Sequence, residues 1–398
     1  MAETMLALAM LSAAIWGVLI LGRGGFWRAR ERLDPAPPNR ESAHWPEVLA
    51  LVPARDEAPT IGRTVQAILG QDYPGDLRLI VVDDQSCDGT AEAALHGAVE
   101  IGAGDRIEAL SGTPLPQGWT GKLWALEQGR RHAAQTGERE PGYLWLTDAD
   151  IDHAPETLSR LVDKAESDDR DLVSLMVLLA AQGFWGRLLI PPFVYFFCKL
   201  YPFAWANDPR ARTAAAAGGC VLLRRAALDR AGGFAAIAGR IIDDCALAAR
   251  IKAVGRAGGG RIWIGLAEQS WSLRPYRGLD EIWSMVSRSA YAQLQFSPLL
   301  LVGTVLGMML IYLVPVGVAA SWPFHGSAVA GTLGLATWVT MAASLFPILR
   351  LYGQSRFWAP LLPFAAAVYC LMTLDSARAQ YQGRGGRWKG RAQAARDV

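Results

Sequence analysis

The stretch Leu144 to Pro155, "LWLTDADIDHAP", runs from an apolar segment straight into aspartates at positions 148, 150 and 152. An unbroken apolar run of this length reads as a strand buried on both faces. Its far end presents carboxylates where open α/β sheets bind ligands, outside the C-terminal ends of their strands. The same grammar repeats upstream. "EVLALV" leads into "VPARDE", with Asp56 and Glu57, and "LRLIVV" leads into "VVDDQSCDGT", with Asp83 and Asp84. "DLVSLMVLL" supplies a further buried strand. Helical patterns lie between these runs. Ile61, Val65, Ile68 and Leu69 share one face after Pro59, and Leu158, Leu161 and Val162 share another after Pro155. This alternation predicts an α/β, Rossmann-like domain with a mostly parallel sheet covered on both faces.

Composition separates that domain from the rest of the 398 residues. Hydrophobic residues make up 52% and the mean hydropathy is +0.17, so part of the chain is expected in lipid. The 15 Trp suit interfacial belts and sugar-binding surfaces. A formal net charge of +2 gives no bulk attraction to nucleic acid, although basic residues cluster at 23–32 and 378–391. Cys87, Cys198, Cys220, Cys245 and Cys370 form no CxxC pair, and the 5 His show no metal-ligand spacing. They read as reduced thiols without a zinc site.

Residues 1–22 form a candidate transmembrane anchor, apolar from 5 to 22 and long enough to span a bilayer. Arg23, Arg28, Arg30 and Arg32 follow it. Charges after the apolar run, not before it, predict a retained anchor with the following side cytoplasmic. Residues 23–45 form a basic, proline-rich linker, and residues 46–297 the catalytic domain. Within that domain, 184–206 is apolar but broken by Arg187, Pro191, Pro192, Lys199 and Pro202. It suits a membrane interface or a buried core helix equally. Residues 298–376 hold transmembrane helices near 298–320, 328–349 and 357–375, before a basic tail at 377–398. This makes a multi-pass protein of the inner membrane. Four spans would place the basic tail outside, against the positive-inside rule. A re-entrant 357–375, or insertion of 184–206, would resolve the conflict.

So many carboxylates at one sheet edge repel one another unless a cation or donor-rich ligand sits among them. Asp148 and Asp150, spaced i, i+2, suit a hard divalent cation such as Mg²⁺ or Mn²⁺, which takes one or two carboxylates plus substrate phosphates. A solvated turn with Asp152 capping a helix is the plainer reading. Lys122, in "GWTGKLWAL", suits a point charge on a diphosphate, or a solvated helix start. Gly218 and Gly219, ahead of "CVLL", suit close approach to a sugar, or a tight turn.

Taken in order, "VPARDE", "VVDDQSCDGT", "GWTGKLWALEQG", "TDAD", "AAGGCVLLRRAALDRAGGF" and "IIDDCALAARIK" resemble the inverting family 2 glycosyltransferases, over about residues 46–255. The anchor and C-terminal spans, with "GWTGKLWAL" and "IIDDCALA", are similar to the branch called hopene-associated glycosyltransferases. The resemblance implies a GT-A-type fold. It implies that Pro53, Arg55, Asp56 and Glu57 line the base pocket and that Asp83 and Asp84 contact uridine. It implies that Asp148 and Asp150 hold the metal and diphosphate, with Lys122 on the phosphates and Gly219 near the sugar. Asp244 matches the catalytic base, and also suits helix capping. Asp243 stands where the family usually has Glu. Arg288 matches the Arg of a Gln-x-x-Arg-Trp motif and is a candidate for the leaving diphosphate, in competition with Arg274 and Arg277. Ser287 and Ser289 depart from that motif, which argues against a processive polysaccharide synthase.

The implied activity is transfer of a sugar from a UDP-sugar to a lipid acceptor, a hopanoid by the branch resemblance, at the cytoplasmic face. A polyprenyl-phosphate glycosyltransferase is the alternative enzyme; its phosphate acceptor needs no strong base. A catalytically inactive nucleotide-binding membrane protein is the alternative outside enzymes. No P-loop pattern GxxxxGK[ST] occurs.

Overall fold

The computed structural model describes residues 1–33, 45–136, 141–254, 260–385, 387–388 and 391–392. Parts of the expected linker and basic tail therefore lie outside the described residues. The chain divides into two compact units. One comprises 30–180, 205–275 and the C-terminal 387–398; the other comprises 1–29, 181–204 and 276–386.

The first unit is built on an eight-stranded sheet. Its strands are β1 (Val48–Ala54), β2 (Leu77–Asp83), β3 (Ile107–Ser111), β4 (Tyr143–Leu146), β5 (Ile151–His153), β6 (Leu172–Leu178), β7 (Val221–Arg224) and β8 (Ile262–Ser272). The spatial order is β3-β2-β1-β4-β7-β6-β8-β5. β1 runs parallel to β2 and β4, β2 to β3, and β6 to β8. Only β7 and β5 are antiparallel to their neighbours. This is the mostly parallel sheet that the apolar runs predicted, in the GT-A-like form that the resemblance implied. It also contains four strands the apolar runs did not announce, β3, β5, β7 and β8. The four residues of β7 slot between β4 and β6, and the long β8 links β6 to β5.

Alternation along β1 feeds two cores. Val48, Ala50 and Val52 pack with Ile61, Val65, Ile68, Leu158, Leu161 and Val162 on one face. Leu49 and Leu51 pack with Leu123, Leu126 and Leu247 on the other. Each such side chain, fully buried, contributes roughly 1.5–3 kcal/mol. The helices Ala58–Leu69 and Thr90–Glu100 cross at glycine. A Cβ on Gly97 would lie 2.6 Å from the Gly62 carbonyl oxygen and 2.8 Å from its Cα.

The second unit is helical. Ala2–Gly22, Pro298–Ala320, Ala328–Leu351 and Arg356–Tyr381 are long and apolar enough to cross a membrane. Within 298–320 the turn Met309–Leu313 is π-helical, which leaves carbonyls without their usual helical donors. Ser12 Oγ donates to the Leu310 carbonyl at 3.0 Å and Trp16 Nε1 to that of Ile311 at 2.8 Å, stitching the N-terminal helix to this turn. The apolar stretch 184–206 forms the helix Gly183–Leu200 despite Pro191 and Pro192 inside it. It is buried within the helical unit: Tyr369 Oη donates to the Leu189 carbonyl at 2.9 Å, and Tyr195 Oη meets Ser344 Oγ at 2.6 Å.

Candidate functional site

The first two acidic tips are stitched into one surface. Register sets Pro53 opposite Val82 and Ala54 opposite Asp83. Past the strands, the Asp84 N–H donates to the Ala54 carbonyl at 2.8 Å. The Asp56 N–H donates to Ser86 Oγ at 3.0 Å, and Asp56 Oδ1 accepts the Cys87 N–H at 3.0 Å. Asp56 adopts φ +50°, in the left-handed region that Asp tolerates better than most residues. The Glu57 and Ala58 N–H groups bond Thr90 Oγ1 at 2.9 Å and Asp88 Oδ2 at 3.0 Å. Arg55 donates to the Asp84 carbonyl and lies 3.9 Å from Asp84 Oδ2. Asp84 is fully buried, while Asp83 Oδ1 accepts the Ser86 N–H at 2.9 Å. Pro53, Arg55, Asp56, Glu57, Asp83 and Asp84 therefore share one edge.

A second group gathers around Lys122. The helix Gly121–Gln135 starts there because Thr120 caps it, its hydroxyl accepting the Leu123 N–H. Lys122 Nζ lies 2.7 Å from Asp148 Oδ1 and 3.6 Å from Asp243 Oδ2. Burial alone would lower its pKa; the charges of Asp148, Asp243 and Asp244 outweigh burial and raise it. It is a fixed cation, not a solvated helix start. Asp243 and Asp244 open the helix Asp243–Val254. Asp244 Oδ2 accepts the Gly218 N–H at 2.9 Å and its Oδ1 accepts the Cys245 N–H at 2.7 Å. Burial first, and then the charge of Asp243, raise the Asp244 carboxyl above the usual carboxylate range, against the pull of Lys122. A Cβ on Gly218 would fall 2.8 Å from Lys122 Nζ, and one on Gly219 would fall 2.8 Å from Val177 Cγ2. Both glycines stand in a tight turn, closed by the Cys220 N–H on the Ala217 carbonyl at 3.2 Å, that also approaches the charged cluster.

Asp150 joins the two groups. Its Oδ2 accepts from Ser272 Oγ at 3.0 Å. Burial, then Asp148 and Glu57, push its carboxyl up to about 6, partly offset by Arg274. Arg274 Nη2 lies 3.6 Å from Glu57 Oε1. Such a crowded carboxyl fits a site where a cation relieves repulsion. Among the described residues, no three His, Cys, Asp or Glu side chains converge as a complete metal site. Asp148 and Asp150 would hold a divalent cation as the carboxylate pair, and substrate phosphates would complete it.

Of the competing arginines, Arg274 faces this cluster. Arg288, which ends the helix Leu279–Ser287, and Arg277, whose N–H donates to Glu281 Oε2 at 2.9 Å, belong to the helical unit. Asp152 pairs with Arg63 at 2.6 Å and caps no helix. Sequence reasoning missed Ser272, Thr147, His153 and Ser270, because isolated hydroxyls and a lone His carry no spacing signal.

Residues 50–232 match the model of glycosyl transferase family 2. An N-acetylglucosaminyltransferase of Mesorhizobium japonicum is 31% identical over 204 residues, 48% of this chain and 42% of that protein. The match thus spans less than half of that curated relative. A mannosyltransferase from Pyrobaculum calidifontis, solved with GDP-Man and Mn²⁺, shares the fold at a TM-score of 0.54 and 22% identity. That likeness covers 96% of this chain and 99% of the other.

Proposed function

We propose that this chain is a membrane-bound inverting glycosyltransferase that moves a sugar from a nucleoside-diphosphate donor, UDP-linked, to a lipid acceptor at the cytoplasmic face of the inner membrane. The observation that carries this reading is the single cluster of Asp148, Lys122, Asp243 and Asp244 beside the Gly218 N–H. It sets a carboxylate poised to take a proton next to a cation suited to a diphosphate and a carboxylate suited to a divalent metal.

Asp244 receives the acceptor hydroxyl proton as the oxygen attacks the anomeric carbon and the bond to the diphosphate breaks. The Gly218 N–H fixes its Oδ2, and burial keeps it a stronger base than a solvated aspartate. Lys122 meets charge developing on the leaving diphosphate. Asp148 and Asp150 hold the divalent cation, which when bound neutralises that same charge. The edge formed by Arg55, Asp56, Asp83 and Asp84 receives the nucleoside. The Mn²⁺ and nucleotide-sugar bound by the Pyrobaculum mannosyltransferase support a metal-assisted donor site here. The four apolar helices support an acceptor drawn from the bilayer, and the branch resemblance narrows that acceptor to a hopanoid.

Detergent-purified protein given UDP-sugars, Mn²⁺ and membrane lipids should yield a glycosylated lipid by mass spectrometry. Absence of product across UDP- and GDP-sugar panels overturns the reading. Lys122→Gln supplies a directional test. Lys122 holds the Asp244 pKa down, so its loss raises that pKa, and the acid limb of the pH–rate profile moves to higher pH. An unmoved limb would separate Lys122 from the base.

A further inference from the structure

Behind the cluster lies a buried chain of polar groups that the proposed chemistry does not touch. Thr147, His153 and Ser270 are 1–3% exposed. Thr147 Oγ1 lies 2.8 Å from the Gly219 carbonyl oxygen and 2.9 Å from His153 Nε2. His153 Nδ1 lies 3.1 Å from Ser270 Oγ. Proton placement along this chain is determined. The Gly219 carbonyl can only accept, so the single Thr147 hydroxyl hydrogen points at it. Thr147 Oγ1 must then accept from His153, which requires the Nε2–H tautomer. Nδ1 is left with a lone pair and accepts from the Ser270 hydroxyl. Burial keeps the ring neutral, lowering its pKa to about 3. Trp145, with its ring centroid 4.8 Å away, packs against the imidazole.

The topology gives the chain its meaning. Ser270 pairs with His153 and Ser272 with Ile151 across the β5–β8 ladder. Two residues apart on β8, one serine holds His153 and the other holds Asp150. The opposite end grips the Gly218–Gly219 turn, whose Gly218 N–H binds Asp244. We propose that His153 is a positioning residue: with Ser270 and Thr147 it locks the Gly218–Gly219 turn and so fixes the Asp244 carboxylate relative to the Asp148–Asp150 loop. It touches no substrate and acts only through Thr147 and the turn.

This inference rests on the assignment of Asp244 as base. The test uses the full-length detergent-solubilised protein. Thr147→Val removes the hydroxyl at nearly constant volume, and His153→Phe keeps the packing on Trp145. Each should lower kcat by about 10- to 100-fold, the scale for loss of a partner that orients a site ligand. The donor KM and UDP affinity by calorimetry should stay within about twofold, because a turn that only aims the base leaves uniform binding intact. Thr147→Ser should recover most of the loss. The double variant Thr147→Val/His153→Phe should lose no more than the worse single variant, since both break one chain. Ser270→Ala gives a milder break should either replacement fold poorly. Wild-type kcat in folded Thr147→Val overturns the proposal, as does a loss expressed in KM or one that multiplies in the double variant. A wild-type protein that transfers no sugar overturns instead the function on which it rests.

Discussion

Asp244→Asn should lower kcat by about 10³-fold, within the 10²–10⁴ range expected for loss of a general base, while UDP binding persists. The amide nearly preserves shape and removes basicity, at the loss of one of the two backbone N–H bonds from Gly218 and Cys245. Binding measured by calorimetry therefore separates a lost base from a collapsed site. The pH profile gives the sharper signature. With the Asp244 carboxyl raised by burial and by Asp243, the acid limb of kcat should lie above the ordinary aspartate value of about 3.9. Activity falls as pH drops through that limb, because only the ionised form accepts a proton. Asp243→Asn removes the neighbouring like charge, so the limb should move to lower pH, opposite to its movement in Lys122→Gln. A fully active Asp244→Asn removes the assigned base and favours a phosphate acceptor, which needs none.

Asp150→Asn should abolish the gain in donor affinity and turnover that Mn²⁺ confers, with kcat/KM for the donor falling by about 10²–10³. UDP binding without metal should change little, because the nucleoside edge of Arg55, Asp56, Asp83 and Asp84 is built elsewhere. The carboxyl of Asp150 is pushed up to about 6. A ligand carboxylate must be deprotonated to bind metal, so the Mn²⁺ requirement should rise as pH falls through that region. Titrating Mn²⁺ at several pH values reads both effects. A wild-type metal response in Asp150→Asn would take this aspartate out of the metal site.

Much of this arrangement was legible in the residues because buried parallel strands write themselves as continuous apolar runs. β1, β2, β4 and β6 match "EVLALV", "LRLIVV", "YLWL" and "DLVSLMVLL" closely, and the helical faces at Ile61 to Leu69 and Leu158 to Val162 are buried as their spacing required. β8 escaped notice. Its first half, Ile262 to Ala267, is wholly buried, and only Ser270, Trp271 and Ser272 alternate. The acidic tips were visible because charge after an apolar run is conspicuous. The hydroxyls that orient those tips were not visible. Ser272 reaches Asp150 from 122 positions away, and that pairing exists only through the β5–β8 register. Lys122 was legible as a cation but not as the hub of the carboxylates, since Asp148 and Asp243 meet it only once the sheet is formed.

The glycine crossing of the helices Ala58–Leu69 and Thr90–Glu100 has a consequence for substrate choice. Each of these helices begins at one of the two loops that make the proposed nucleoside edge, and the loops are bonded to each other by Asp56, Ser86, Asp88 and Thr90. With Gly97 seated against Gly62, the two helices pack backbone to backbone, and the bonded loops at their starts form one jaw. A jaw assembled before its guest arrives spends little entropy on closing, and its selectivity among nucleobases then comes from shape. A bulkier residue at position 97 would meet the Gly62 backbone, pry the jaw open and blur that choice.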